Sequence, residues 1–216
     1  MFTGIVAAIG MIEEVSTLAA TVGPADSGRR LVIEAARLGL DDVQVGDSIA
    51  IQGACMTVVQ LGGPMSDQLA EGRFAVDISL ESLSRTVGLA APGMVNLEKA
   101  LRLSDRLGGH LVSGHIDGLG RVAAFDPVGE SWFLAIEVPA ALAKYFAFKG
   151  SVTVDGVSLT VNRVEDSAAK GVTRIEINVI PHTMAVTTLG RLKVGDFVNI
   201  EVDQIARYCE RLMASK

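Results

Sequence analysis

Aromatic residues are scarce in this chain: 5% of 216 positions, with one Trp and two Tyr. A platform that stacks the bases of nucleic acid needs more of them. Basic residues are also outnumbered. Lys and Arg total 19 against 25 Asp and Glu, the net charge is −6, and no Lys/Arg cluster stands out. That balance argues against nucleic acid or an anionic membrane as a partner. The two cysteines, Cys55 and Cys209, lie in dissimilar contexts and suggest no disulfide framework. No apolar run approaches the ~20 residues needed to span a bilayer. The first residues carry no basic segment and are interrupted by Gly4 and Gly10, unlike a signal peptide. A soluble cytoplasmic protein is therefore expected. What the chain does have is aliphatic. It is 49% hydrophobic with a mean hydropathy of +0.39, enough apolar material for one domain or two small ones.

The chain also contains one stretch twice. Gly46-Asp47-Ser48-Ile49-Ala50-Ile51-Gln52-Gly53-Ala54-Cys55-Met56-Thr57-Val58 is matched by Lys149-Gly150-Ser151-Val152-Thr153-Val154-Asp155-Gly156-Val157-Ser158-Leu159-Thr160-Val161. Ser48, Gly53 and Thr57 align with Ser151, Gly156 and Thr160 at one offset. Each copy reads strand, turn, strand, with Gln52-Gly53 and Asp155-Gly156 as two-residue hairpin turns. Alternate strand residues share a face. Cys55 and Thr57 are thus expected opposite Ala54, Met56 and Val58, and Ser158 and Thr160 opposite Val157, Leu159 and Val161. One such strand alone reads as half-exposed; two copies point to a duplicated ligand site.

The repeat extends further. Thr3-Gly4-Ile5-Val6 matches Ser113-Gly114-His115-Ile116, and Val95-Asn96-Leu97-Glu98 matches Val198-Asn199-Ile200-Glu201. Two copies of roughly 100 residues mean a duplicated domain rather than a solenoid. Short β runs punctuated by Gly, Pro, Asp and Asn predict small antiparallel barrels over 1–100 and 101–202. Short helices are expected at Ser82–Val87 and Ala140–Phe146, and Leu101–His110 reads as a helical turn ended by Gly108-Gly109. In the tail, 203–216, Ile205, Cys209, Leu212 and Met213 form an i, i+4, i+7, i+8 stripe, with Asp203 as N-cap. That stripe can pack on its own barrel or on another chain.

Gly118-Leu119-Gly120-Arg121-Val122-Ala123 fits a loose dinucleotide pattern but lacks the required strand–turn–helix context. No metal site is expected, because His110 and His115 are wrongly spaced and His182 is remote. Cys55 reads either as a nucleophile or as an inert core thiol. His115 stands where the first copy has apolar Ile5, which favours function, although a structural His is the alternative.

At these residues the sequence resembles the riboflavin synthase family of the lumazine-binding, alpha-chain type. The carrying motifs are Met1 to Val6, Gly53 to Val58, Gly108 to Asp117, Lys149-Gly150-Ser151, Asp155 to Val161, Ile180-Pro181-His182-Thr183, Thr187 to Gly190 and Val198 to Asp203. The resemblance covers essentially the whole chain. It implies an all-β fold of two six-stranded Greek-key barrels with a C-terminal helix, assembled as a homotrimer whose sites lie between subunits. It also implies a reaction without metal, flavin or nucleotide cofactor. Two molecules of 6,7-dimethyl-8-ribityllumazine exchange a four-carbon unit, giving riboflavin and 5-amino-6-(ribitylamino)uracil.

By the same resemblance, Phe2, Thr3, Gly4, Ile5 and Val6, with Cys55, Met56 and Thr57 and with Asp77, Ile78, Ser79, Leu80, Glu81 and Ser82, match the first barrel's ligand site. Gly114, His115, Ile116, Lys149, Ser158, Leu159 and Thr160, with Val179, Ile180, Pro181, His182, Thr183 and Met184, match the second. Ser48, Cys55, His115 and Asp203 match polar positions implicated in catalysis, with Ser158 and Thr160 as further candidates. A histidine side chain, with an unperturbed pKa of ~6.5 for its type, suits a proton shuttle, and His115 is the candidate. Ser48 or Cys55 could add to a ring or activate a water, and Asp203 serves either chemistry or the helix cap. The sequence departs from the family pattern at Gln52, where Asn is usual, at Ser82, where Thr is usual, and in a shortened connection after Thr86.

Overall fold

The β-branched runs of each copy close into a barrel. A computed structural model describes residues 1–18, 28–63, 69–167 and 169–214. The first barrel comprises β1 (Ala8–Thr17), β2 (Arg29–Glu34), β3 (Ser48–Ile51), β4 (Ala54–Leu61), β5 (Arg73–Ile78) and β6 (Gly93–Lys99). They lie in the order β1-β2-β5-β4-β3-β6, all antiparallel, with β6 closing on β1. The second comprises β7 (Gly118–Val128), β8 (Ser131–Pro139), β9 (Ser151–Val154), β10 (Val157–Ser167), β11 (Val172–Val179) and β12 (Phe197–Val202). Its order, β7-β8-β11-β10-β9-β12, repeats the first six strands further on. The glycine-rich stretch from Gly118 lies within strand β7, so no dinucleotide turn forms there.

Period-two patterning sorts the side chains as expected. Ile49, Ile51, Ala54, Met56 and Val58 are buried, while Cys55 is half-buried and Thr57 exposed. In the second copy Val157 and Val161 are buried, Ser158 and Leu159 half-buried and Thr160 exposed. Each barrel has its own aliphatic core, with Ile33, Phe74 and Leu97 in one and Leu134, Ile136 and Ile175 in the other.

Both hairpin turns are of the kind that needs left-handed backbone at two successive residues. The φ values are +50° and +85° at Gln52-Gly53 and +50° and +80° at Asp155-Gly156. The two turns meet tip to tip. A Cβ on Gly53 would lie 2.6 Å from the backbone nitrogen of Gly156, so only glycine fits. Crossed hydrogen bonds surround this contact. Asn96 Nδ2 donates to the Asp155 carbonyl, and Asn199 Nδ2 donates to the Gln52 carbonyl. The Asn199 backbone N–H donates to the buried Asp155 carboxylate. Burial drives the Asp155 pKa up to about 7 against the opposing effect of that bond.

The helical segments differ from expectation in detail. Helix α1 spans Leu80–Arg85, beginning earlier than predicted because the Ser79 hydroxyl accepts from Ser82 N–H and caps it. Residues Ala140–Tyr145 form a 3-10 helix. The stretch Leu101–His110 makes a single turn, not a helix, since the Asp105 carboxylate accepts from Arg102 N–H and closes the chain locally. A further helix, α2 (Pro181–Val186), starts on Pro181. The tail forms α3 (Gln204–Met213), capped by the Asp203 carboxylate accepting from Ile205 N–H. Helix α3 is held to its own barrel through polar groups. Arg207 pairs with Asp117, Lys144 and Tyr145 donate to Glu210, and Ile205, Tyr208, Leu212 and Met213 remain exposed. Among the described residues no helix is long and apolar enough to cross a membrane.

Asp155 predicts a pH dependence. Its folded-state pKa of about 7 lies above the ~3.9 of an unfolded Asp. Between those values the folded protein holds a proton that the unfolded chain has released, so this group's contribution to stability falls as pH rises through 7. Asp155→Asn keeps an acceptor for Asn199 N–H and abolishes the titration. Urea unfolding should show the variant gaining about 1–3 kcal/mol over wild type between pH 5 and pH 8.

Candidate functional site

The segments that precede β1 and β7 each leave their own barrel and lie on the other one. Glutamates fix where they start. The buried Glu98 carboxylate on β6 accepts from Thr3 N–H, Thr3 Oγ1 and Gly4 N–H at 2.6, 2.7 and 3.0 Å. Glu201 on β12 repeats this with Ser113 N–H, Ser113 Oγ and Gly114 N–H at 2.7, 2.6 and 2.9 Å. The glycine carbonyls then cross over. Gly4 O accepts from Ser158 N–H on β10 at 2.7 Å, and Gly114 O accepts from Cys55 N–H on β4 at 2.8 Å. Val6 consequently packs on the core of the second barrel, and Ile116 on that of the first. Between the crossings, Phe2 and Val112 form a two-way backbone bridge inside a small apolar cluster with Ala50.

Two constellations result. The first is a pocket of about 210 Å³ lined by Cys55, Met56, Glu81, Ser82, Arg85, Thr86, Gly114, His115 and Ile116. Strand β4 supplies the half-buried thiol, α1 supplies a hydroxyl and a charged rim, and the segment before β7 supplies exposed His115. The second is centred on Ser158. Its Oγ lies 2.8 Å from His110 Nδ1. Burial holds the His110 pKa below the ordinary histidine value, with the nearby Asp203 carboxylate opposing the shift. His110 Nε2 is buried and has no hydrogen-bond partner among the described residues. A neutral imidazole bonded to a hydroxyl can exchange a proton with it, which makes Ser158–His110 a competent acid–base pair.

The expected site residues are therefore regrouped. Gly114, His115 and Ile116, assigned by resemblance to the second barrel, line the pocket of the first. Gly4 and Val6, assigned to the first, lie on the second. The clamping glutamates are the physical reason. Ser48 and Thr57 face each other on β3 and β4, and Ser48 borders a separate cleft with Asp42, Lys99 and Arg102. The Asp77 carboxylate is committed to a two-point ion pair with Arg30, and Ile78 lies in the core. Ser79 is a cap, Leu80 is exposed, and Glu81 pairs with Arg85. Phe2 is fully buried between the barrels, with Thr3 clamped beside it. Ile5 is exposed, and a Cβ on Gly108 would lie 3.3 Å from its Cγ1.

In the second barrel, Leu159 and Met184 pack on the core beside Val179. Ile180, Pro181 and His182 are exposed at the start of α2, with Thr183 half-buried. Lys149 Nζ donates to Asn162, and Thr160 is exposed. Sequence reasoning missed His110, Arg85 and Thr86 as site residues. The Gly108-Gly109 pair was the available signal for His110. A Cβ on Gly109 would fall 2.2 Å from Thr3 O and 2.7 Å from Ser158 Cβ, so the pair marks a close approach.

The two like barrels have a counterpart among known proteins. The lumazine binding domain family matches residues 3–100 and again 113–203. The chain belongs to the lumazine-binding domain family. A riboflavin synthase of Photobacterium phosphoreum is 42% identical over 219 residues, covering 99% of this chain and 89% of that protein. A riboflavin synthase of Mycobacterium bovis is 42% identical over 224 residues, covering 100% and 99%. The fold is also that of LumP in its crystal structure complexed with 6,7-dimethyl-8-(1'-D-ribityl) lumazine. The TM-score is 0.73 at 24% identity, covering 94% of this chain and 99% of LumP. Both matched segments of this family member begin at a clamped strap, Thr3-Gly4 and Ser113-Gly114.

Gly4 and Gly114 hold the crossing together at φ of +74° and +78°. A Cβ at either would lie 2.6 or 2.7 Å from the Cβ of Ser158 or Cys55. Gly4→Ala and Gly114→Ala should each lower the urea-unfolding free energy by about 1–3 kcal/mol. Gly129→Ala, at an open turn with a φ of +60°, should cost about 1 kcal/mol.

Proposed function

We propose that this protein is a riboflavin synthase. It binds two molecules of 6,7-dimethyl-8-ribityllumazine, transfers a four-carbon unit between them, and releases riboflavin and 5-amino-6-(ribitylamino)uracil without a cofactor. The observation that carries the reading is full-length identity of 42% to riboflavin synthases in a chain that keeps polar chemistry in both barrels. A dismutation needs two copies of one substrate, and a duplicated lumazine-binding domain answers that need. Proximity of two held rings can supply up to ~7–11 kcal/mol of the barrier. His115 beside Cys55 serves one ring, and the Ser158–His110 pair serves the other as proton donor or acceptor.

Assembly belongs to the same proposal. The first-barrel pocket, about 210 Å³, is smaller than the ~300–1,000 Å³ of a typical ligand site. A neighbouring subunit that covers it would complete it. Helix α3 turns its polar side to its own barrel and its apolar stripe outward, which supports a homotrimer built on that stripe. Two free thiols, Cys55 and Cys209, fit a reducing cytoplasm.

Incubating the pure protein with 6,7-dimethyl-8-ribityllumazine alone should yield riboflavin and the pyrimidine in equal amounts. Binding without turnover would replace the enzyme by a lumazine- or flavin-binding protein on the same barrels. Cys55→Ser and His115→Gln should each lower kcat by about 10–1,000-fold; wild-type rates in both would remove their roles. Truncation after Asp203 should lower the native mass in analytical ultracentrifugation, and an unchanged mass would refute the role given to α3.

A further inference from the structure

Glu98 and Glu201 are the least expected groups in the two barrels. Each is a nearly fully buried carboxylate, at 8% and 1% exposure, with no cation paired to it among the described residues. Such a group is a costly way to anchor a segment unless its geometry matters. Here the geometry is specific. One carboxylate oxygen takes both the N–H and the hydroxyl of Thr3 or Ser113, and the other takes the N–H of the following glycine. That fixes the peptide unit leading into the glycine, and the glycine's own carbonyl lies in the next unit, one α-carbon further on. The carbonyl in turn holds the N–H of Ser158 or Cys55 in the opposite barrel. The path from each carboxylate therefore ends in the other barrel's site, and His115 and Ile116 on the pocket wall follow directly from Gly114.

We propose that Glu201 is a positioning residue for the Cys55 pocket of the first barrel and Glu98 one for the Ser158 site of the second. Each barrel thus sets its partner's site and not its own. That these sites hold lumazine rests on the function proposed above, but the wiring itself does not.

The test uses the full-length protein without lumazine. Alkylation of Cys55 by iodoacetamide is followed by peptide mass spectrometry, with added N-acetylcysteine in the same reaction as internal clock. Glu201→Gln places an amide N–H against one of the donors and should release the Gly114 cover. The Cys55 rate, relative to that clock, should rise about tenfold or more, the worth of one charged hydrogen bond. Glu98→Gln should leave it within about twofold, and should instead shift the ring-proton resonances of His110, which Glu201→Gln should leave in place. If Glu201→Gln fails to fold, Ser113→Ala removes only the hydroxyl bond and should raise the Cys55 rate about threefold. Equal Cys55 rates in wild type and variant, or an equal rise in Glu98→Gln, would overturn the proposal. Lumazine turnover is assayed separately. A protein that makes no riboflavin yet shows the selective change keeps the wiring and loses the proposed function. Turnover with no selective change does the reverse.

Discussion

Two backbone hydrogen bonds organise this molecule: Gly4 O with Ser158 N–H, and Gly114 O with Cys55 N–H. Two separate barrels need only a linker between them. Here each barrel sends the segment before its first strand across to lie on the strand after its partner's hairpin turn. The crossing imposes conditions that the sequence meets in duplicate. Glycine is required where two backbones approach within the radius of a Cβ. An acceptor is required for the N–H groups that the segment cannot pair within a sheet, and Glu98 and Glu201 provide it. The tip-to-tip turns at Gly53 and Gly156, ringed by Asn96 and Asn199, lock the same interface from another side. The two barrels behave as one unit because their polar groups are satisfied only together.

Within that shared frame the copies have diverged where chemistry would differ. Cys55 faces Gly114 and lies in a pocket with exposed His115, whereas Ser158 faces Gly4 and bonds a buried imidazole. The residue after each crossing glycine is His115 in one case and Ile5 in the other, although both are exposed. The buried His110 is kept neutral by desolvation, with Asp203 as the opposing charge. The Ser158 side therefore presents a hydroxyl bonded to an imidazole, and the Cys55 side a thiol and a solvent-exposed imidazole.

The barrels were legible in the sequence because their signals are local. Asp155-Gly156 between Val152-Thr153-Val154 and Val157 states its own turn type, and period-two alternation sorts Cys55 from Met56 without any tertiary knowledge. The tail helix was legible for the same reason, with Asp203 as cap and a clear stripe. The crossing was not. Nothing local tells whether Gly114-His115-Ile116 lies on the barrel it introduces or on the other one; only the Glu201 clamp and the Gly114 O to Cys55 N–H bond, both far apart in sequence, place it. His110 was weighed only as a metal ligand, because its partner Ser158 is 48 residues away. Leu101–His110 reads as a helical turn, yet Asp105 closes the chain locally and Gly109 must slip past Thr3 and Ser158. Tertiary contact overrode propensity there.

The helix α3 carries the remaining constraint. A helix whose apolar stripe faced its own barrel would leave polar residues outward and end the fold. This helix does the opposite. Arg207 and Glu210 reach inward to Asp117, Lys144 and Tyr145, while Ile205, Tyr208, Leu212 and Met213 face out. Exposed surface ion pairs contribute at most about 1 kcal/mol each, too little to justify exposing four large apolar side chains. Burying each of those is worth roughly 1.5–3 kcal/mol. The balance favours a state in which that stripe is covered. In the homotrimer proposed above, a second copy of the chain is what covers it.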